Sequence, residues 1–510
     1  MKYAIFLINL LLISIGGVAQ QRLGKLNIYF NNIALQQYMN GNILLAEHGR
    51  PVYQRSFGYA DHAAATPNTP DQRFNLASIT KVFTATAILQ LKEKGLLRLG
   101  DNLRYYLPQF PYDRITIRHL LTHTSGLPDL ELYEPIIKAY PDTIVTNNII
   151  IPVLIQEKRQ LYFQPGSKFS YCNLNYSLLA LLIEKLSGQS FQAYLVDNIF
   201  RPAGMLMTNA VACSFEPADK DIATPHVYDM LYDTACTSAF KLKRYRYTSY
   251  NNSAATGASN VVTTVHDLLL FDKAFFAGKL LSTTSMQEAF TPVVLNNGDT
   301  TWEHMDTMQG EGRGSYGLGW EIFEQPAFGK AVGHGGFNFG LATFYYRNLD
   351  KQQTIIAFDN FPGPPFGSIV TSALHLLNNQ PATPVTIKTS LARLFGQQLL
   401  QYGLTTAANN MHVLVNDTSR YYLSEKEMNK LGYEFLYLSS VPGHAQLAVA
   451  TFLTNISYFP DSFNTYDSYA EALSVTGSKQ EAIRMYRKSI ALNPDNRDGI
   501  KALERLLSQP

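Results

Sequence analysis

The stretch Ser78-Ile-Thr-Lys81-Val-Phe-Thr-Ala-Thr-Ala-Ile-Leu-Gln-Leu91 sets a hydroxyl and an amine three residues apart at the head of an apolar run. Val82, Phe83, Ala85, Ile88, Leu89 and Leu91 recur at helical spacing, and Gly95 closes the run. Side chains three apart on a helix share a face, roughly 5–6 Å apart at Cβ. The Lys81 amine therefore reaches the Ser78 hydroxyl, which sits where backbone N–H groups and the helix dipole favour negative charge. Ser-x-x-Lys recurs at Ser238-Ala-Phe-Lys241, and chance alone supplies about that many copies in a chain this long. No helical run follows Ser238. It leads instead into Lys241-Leu-Lys-Arg-Tyr-Arg-Tyr247, a cation-rich stretch that reads as a solvated loop or a patch for an anionic partner.

Strand signals bracket the helical part of the chain. Residues 42–58 read as a hairpin turning at Gly49, and Leu341–Tyr346 with Thr354–Phe358 read as a second. Between them the spacing is mostly helical, as in Leu178, Leu179, Leu182, Ile183 and Leu186 before Gly188. The expected fold is α+β, with an antiparallel sheet made from both chain ends, flanking helices and a mostly helical subdomain.

Chemistry at Ser78 requires more than an amine. Free Lys has a pKa near 10.4, so burial and hydrogen bonding must lower it before it accepts a proton. Tyr171-Cys-Asn173 follows a Pro165-Gly166 turn and precedes the Leu-rich helix, where a phenol could relay a proton and an amide could hold Lys81. Gly333-His334-Gly335-Gly336-Phe337-Asn338 lies just before the second hairpin. Glycines there let a substrate backbone approach a strand, and the Phe337 N–H could join that of Ser78 as an oxyanion hole.

Ser78-Ile-Thr-Lys81, Tyr171-Cys-Asn173 and His334-Gly-Gly336 occur in the order and approximate spacing of the class C β-lactamase-like serine hydrolases, of the penicillin-binding-protein type. Ile115–Leu127, which contains His119 and His123, resembles that family's segment after the serine helix, and Thr256–Thr264 and Tyr316-Gly-Leu-Gly-Trp320 are similar to other family segments. The resemblance covers about residues 25–377. It implies a β-lactamase/transpeptidase-like fold and acyl transfer to water through an acyl-enzyme, without metal or cofactor. It further implies Ser78 as nucleophile, Lys81 as base, Tyr171 as proton relay, Asn173 as holder of Lys81 and substrate, and His334, Gly336 and Phe337 as the substrate-aligning strand. His119 and His123 are expected to be structural. Many relatives carry Lys-Thr-Gly where this chain has His334-Gly335-Gly336. A histidine is mostly neutral at pH 7 and would hold a substrate carboxylate less firmly, which favours a peptidase or esterase over an efficient β-lactamase.

The 510 residues carry a formal net charge of +2, a balance that calls for neither nucleic acid nor an anionic membrane. Residues 1–19 read as a cleavable secretory signal, which implies an exported protein, periplasmic or secreted, with no integral membrane segment after its removal. The three cysteines, Cys172, Cys213 and Cys236, read first as free buried thiols; if two are oxidised, Cys213 with Cys236 is the plausible pair, and the spacing fits no zinc site. Asn378–Pro384 reads as a linker. Beyond it Gly443, Ala448, Phe452, Asn455, Pro460 and Asp461 reappear 34 positions later as Gly477, Ala482, Tyr486, Ser489, Pro494 and Asp495, which resembles a tetratricopeptide repeat. The expected division is a signal at 1–19, a hydrolase domain at 20–377, a linker and connecting helix at 378–427, and an all-α repeat domain at 428–510. Expected partners are a small-molecule or peptide substrate and a protein bound through the repeats. The competing expectation is a non-catalytic binder of peptides or cell-wall fragments whose repeats recruit a partner.

Overall fold

The computed structural model describes residues 20–211, 221–303 and 312–508. The expected signal segment and Cys213, with its candidate pairing, lie outside the described residues. Two compact units emerge: one runs to Val227 and resumes over Thr237–Val385, and the other joins Tyr228–Cys236 to the chain from Thr386 onward.

The first unit is built on a seven-stranded sheet: β1 (Gly41–Glu47), β2 (Arg50–Ser56), β3 (Arg313–Tyr316), β4 (Glu321–Gln325), β5 (Gly329–Asn338), β6 (Leu341–Asn348) and β7 (Gln353–Asp359). Its order is β3-β4-β5-β6-β7-β1-β2, with every neighbouring pair antiparallel. The two expected hairpins are β1–β2 and β6–β7, and the β1–β7 pairing joins the ends of the unit, with Gly41 opposite Asp359.

Successive side chains of a strand point to opposite faces, and here both faces are covered. Leu44, Ala46, Tyr345, Ile356 and Phe358 join one core, and Ile43, Leu45, Tyr346, Ile355 and Ala357 join the other. This double burial explains why the centres of β1 and β7, Ile43–Ala46 and Ile355–Phe358, are continuously apolar rather than alternating. Leu26, Phe30 and Ile33 of the helix over residues 20–35 share the second core with the helix Phe366–Leu377. The first core holds α1 (Thr80–Glu93), α2 (Ile117–Leu121), α3 (Asn173–Ser187) and α4 (Val265–Phe276). Helix α4 is tied to the sheet by a buried ion pair, Arg347 Nη1 to Asp272 Oδ2 at 2.8 Å, and the Tyr345 hydroxyl donates to Asp272 Oδ1 at 2.9 Å.

The second unit is helical. Residues expected to form a linker and one helix contain two, Leu391–Tyr402 and Leu404–Leu414, followed by Glu425–Tyr433. Phe395, Leu399, Met411 and Leu431 are buried in one core with Ala448 and Phe452, so these helices have an amphipathic packing role. Four further helices follow: His444–Tyr458, Phe463–Val475, Lys479–Leu492 and Arg497–Ser508. The small and aromatic positions of the 34-residue pattern, Ala448, Phe452, Ala482 and Tyr486, are all buried. The short segment Tyr228–Cys236 belongs to this unit. Tyr232 stacks on Phe435 at 5.0 Å, and the Leu231 N–H donates to Glu434 at 2.6 Å.

Among the described residues no helix is long and apolar enough to cross a membrane.

Candidate active site

Ser78 sits in a single 3-10 turn, Ala77–Ile79, that feeds directly into α1. Ala77 has φ +47°, a left-handed value that is strained for a residue with a Cβ. Its N–H donates to Asn75 Oδ1 at 2.7 Å, which helps hold the strain. Strand β5 lies directly against this turn. A Cβ on Gly336 would fall 2.2 Å from Thr343 Oγ1, 2.3 Å from the Leu76 carbonyl oxygen and 3.2 Å from the Ser78 nitrogen. Only glycine allows the strand that close. Thr343 of β6 ties the layers together by donating to the Leu76 carbonyl at 2.8 Å.

Lys81 is fully buried, one helical turn beyond Ser78. Its Nζ donates to Ser78 Oγ at 3.0 Å, Asn173 Oδ1 at 2.9 Å and the Ala258 carbonyl at 2.9 Å. An ammonium has three donors, and all three are placed. Burial penalises the charged form and brings the Lys81 pKa down to about 7, although nearby Asp129, Cys172 and Glu321 pull it upward.

Asn173, the first residue of α3, is oriented from behind. The Asp129 carboxylate accepts from Asn173 Nδ2 at 3.0 Å, from the Asn173 N–H at 2.7 Å and from the Leu174 N–H at 3.1 Å. One carboxylate thus satisfies two open N–H groups of the helix start. It also leaves the Asn173 amide oxygen facing Lys81.

Tyr171 is held by His123. The N–H groups of its two neighbours, Ser170 and Cys172, donate to the His123 carbonyl at 2.8 Å and to His123 Nδ1 at 3.1 Å. The Tyr171 ring stacks on the imidazole at 4.2 Å. Lys81 Nζ lies 4.9 Å from the centre of the same ring. The residue is 37% exposed, yet its hydroxyl end is enclosed. Desolvation raises the phenol pKa well above its usual value, against a hydrogen bond with Ser78 that lowers it.

Behind Tyr171 runs a buried chain of hydrogen bonds whose directions can be worked out. His123 Nδ1 accepts from Cys172, so Nε2 carries the proton and donates to the Tyr316 oxygen at 3.3 Å. The Tyr316 hydroxyl then donates to His334 Nε2 at 3.0 Å, and His334 Nδ1–H donates to the Gly335 carbonyl at 2.6 Å. Each ring is neutral in this arrangement. Desolvation, then the nearness of Lys81, pushes the His334 pKa down to about 3. Glu321, 3.7 Å from Nδ1, does not outweigh that burial. The His334 side chain is only 1% exposed and points into this chain of bonds, so the strand backbone faces the cleft.

Beyond Gly333, β5 has no partner from β4, which leaves residues 334–338 with one open edge. The Gly335 N–H points to the β4 side, where it donates to Glu321 Oε2 at 3.1 Å. N–H groups two residues apart point the same way, so the Phe337 N–H projects from that open edge.

A cleft opens at Ser78 between β5, the start of α3 and the loops on either side of residue 250. Leu130, Phe240, Tyr245, Phe337 and Phe339 give it an apolar wall. Tyr245 and Phe339 are stacked at 4.0 Å.

Ser78, Asn173 and Phe337 line the cleft, while Lys81, Tyr171, Gly336 and the buried His334 pack behind or beside them. Ser238 and Lys241, the second Ser-x-x-Lys, fall in a separate strand and turn. Asp129 and Tyr316 are participants that the sequence reading assigned no role, and His123 has the structural place expected of it, bracing Tyr171. Tyr316 lies in a segment singled out for its resemblance, Tyr316–Trp320, and Asp129 lies two residues past another, Ile115–Leu127. His119 has a structural place: Thr116 and His119 form the reciprocal cap of α2.

Residues 34–378 match the family model described as Beta-lactamase. The chain is similar to "Penicillin-binding protein 4*" of Bacillus subtilis, 36% identical over 368 residues that cover 71% of this chain and 77% of that protein. The penicillin-binding protein of Bacillus halodurans superposes with a TM-score of 0.56 at 27% identity, covering 68% of this chain and 98% of that one. A D-amino acid amidase from Ochrobactrum anthropi shares the fold, with a TM-score of 0.55 at 21% identity over 68% of this chain and 96% of that chain.

Proposed function

The chain belongs to the Beta-lactamase family of serine hydrolases, which act on amide or ester bonds, and we propose that Ser78 is the nucleophile of an acyl-enzyme mechanism. The observation that carries this is the 3.0 Å contact between Ser78 Oγ and a buried Lys81 whose pKa is brought down to about 7. Near neutral pH a large share of Lys81 is then the free amine, able to take the serine proton as Oγ attacks the carbonyl carbon.

Negative charge develops on the carbonyl oxygen in that step. The N–H groups of Ser78 and Phe337 supply the donors for it, and their placement on a turn and a strand means little reorganisation when the charge appears. The intermediate collapses when the leaving group receives a proton. Tyr171 is suited to relay it, because its raised pKa keeps the phenol protonated at neutral pH. Water then attacks the ester at Ser78, with Lys81 and Tyr171 returning the proton to Oγ. Asn173 keeps Lys81 in position, and β5 aligns the substrate through Gly336 and Phe337, with His334 bracing the strand from behind.

The relative from Bacillus subtilis is named for penicillin binding, but the neutral His334 of this chain favours a peptide or ester substrate over a β-lactam. We further propose that residues 1–19 direct export, that the hydrolase domain spans 20–377 apart from the segment Tyr228–Cys236, and that the helical region recruits a protein partner.

The test is covalent labelling. Intact protein should gain the mass of one fluorophosphonate, with the adduct on the peptide containing Ser78. Ser78→Ala should take none, and Lys81→Ala should label at least about a hundredfold more slowly. Labelling elsewhere, or undiminished labelling of Ser78→Ala, would remove Ser78 from this role.

A further inference from the structure

The cleft at Ser78 has a chemical character beyond its apolar wall. Among the described residues that line it there is no Asp, Glu, Lys, Arg or His. Its polar members are neutral amides and hydroxyls, such as Asn75, Thr248, Ser249 and Asn252. A charge brought into such a surface loses water and gains no counter-charge.

The charged groups close by are turned to other tasks. Lys81 directs its amine to Ser78, Asn173 and Ala258. Asp129 is engaged by Asn173 and the start of α3. Both ring nitrogens of His334 are used within the buried chain, so the imidazole offers no cation to the cleft. The basic stretch that follows Phe240 contributes Tyr245 to the lining but none of its cations. Arg246 pairs with Asp142 at 2.6 Å and lies over Tyr250 at 4.1 Å, while Arg244 lies 4.8 Å over Tyr245.

We propose that this cleft selects an uncharged ester or amide whose group beside Ser78 is aromatic or otherwise apolar, and that it discriminates against carboxylate- and ammonium-bearing substrates. The proposal rests on the acyl-enzyme mechanism above and narrows its substrate class. The stacked pair Tyr245 and Phe339, together with the 72% exposed Phe337, offers flat ring faces to such a group. Hydrolysis also fits this design. Water adds to the acyl carbon, the serine oxygen leaves with a proton, and the released acid ionises at neutral pH. Its new charge finds no partner in the cleft, so release of that product is favoured.

Four p-nitrophenyl esters of shared leaving group would decide it on the full-length protein: phenylacetate, methyl pimelate, free-acid pimelate and 6-ammoniohexanoate. The expected kcat/KM for the first two exceeds that of both charged esters by at least about thirtyfold. Thr248→Lys should raise the ratio of free-acid to methyl-capped kcat/KM at least about tenfold over that of the natural protein. A free-acid or ammonium ester processed within about threefold of the methyl-capped one by the natural protein would overturn the proposal, with Ser78 labelling intact. If no ester is turned over and Ser78 takes no fluorophosphonate, the acyl-enzyme mechanism itself falls, and this proposal with it.

Discussion

The carboxylate of Asp129 fixes which end of the Asn173 amide faces Lys81. Asn173 Nδ2 donates backward to Asp129 at 3.0 Å, and Asn173 Oδ1 accepts forward from Lys81 at 2.9 Å. The same carboxylate takes the first two N–H groups of α3. Helix capping and placement of the proposed base are therefore one interaction.

Asp129→Ala should show both losses. Removing the cap costs about 1 kcal/mol, and leaving the half-buried Asn173 Nδ2 without its acceptor adds about 1–3 kcal/mol. Chemical denaturation should register a destabilisation of about 2–4 kcal/mol. Asp129 also raises the Lys81 pKa, so its removal should move the pH midpoint of Ser78 acylation downward. An unchanged midpoint would show that Asp129 is only a cap.

The pH dependence of acylation follows from Lys81. With a pKa of about 7, the free amine is depleted below neutrality. The rate of Ser78 acylation should fall about tenfold per pH unit below about pH 6 and level off above pH 8. Folding responds with a defined sign. The folded-state pKa lies below the unfolded value of 10.5, so the folded state binds fewer protons between these limits. The cost of burying Lys81 is therefore full below about pH 7 and is relieved as pH rises toward 10.5. Equilibrium unfolding of wild type against Lys81→Met across pH 6–9 checks this, and the gap between them should narrow with rising pH.

Gly336→Ala is expected to abolish Ser78 labelling. Its methyl group would lie 2.2–2.3 Å from Thr343 Oγ1 and the Leu76 carbonyl oxygen, so β5 and the serine turn must separate. Overpacking of this kind costs about 1–3 kcal/mol. Gly335→Ala, whose methyl group would meet nothing closer than 3.9 Å, is the control and should keep its stability within about 1 kcal/mol. Equal labelling rates in the two variants would contradict the close approach described here.

Tyr316→Phe removes the central hydroxyl of the buried chain. His334 Nε2 then loses its donor and the His123 Nε2–H its acceptor, both within a fully buried cluster. The expected destabilisation is about 2 kcal/mol or more by denaturant titration. Because His123 stacks on Tyr171, acylation should slow as well, with kcat affected more than KM. A variant as stable as wild type would mean that the chain of bonds is not formed.

Much of this molecule could be read locally. Helix α1 follows from its apolar spacing, and the Ser78–Lys81 contact follows from the pitch of a helix alone, since both ends lie within one turn. The hairpins β1–β2 and β6–β7 are likewise local, because a short turn joins each pair of strands. Asp129 was not legible for the opposite reason. A lone Asp after Leu127 carries no periodic signal, and its worth depends on meeting a helix start 44 residues later. Over 378–427 the sequence reads as a linker and one connecting helix, where the structure has two helices. There Gly403 interrupts the spacing between two helices that pack by tertiary contact.

Short-range order is written in composition because a turn or a helical face involves neighbours whose separation the backbone fixes. What had to await the folded chain is convergence: β1 beside β7, Tyr171 stacked on His123, Tyr316 between two histidines, and a cleft whose lining, among the described residues, has no ionisable acid or base other than Tyr245. Each joins residues from separate parts of the chain, and which of them meet depends on how two cores close on opposite faces of one sheet.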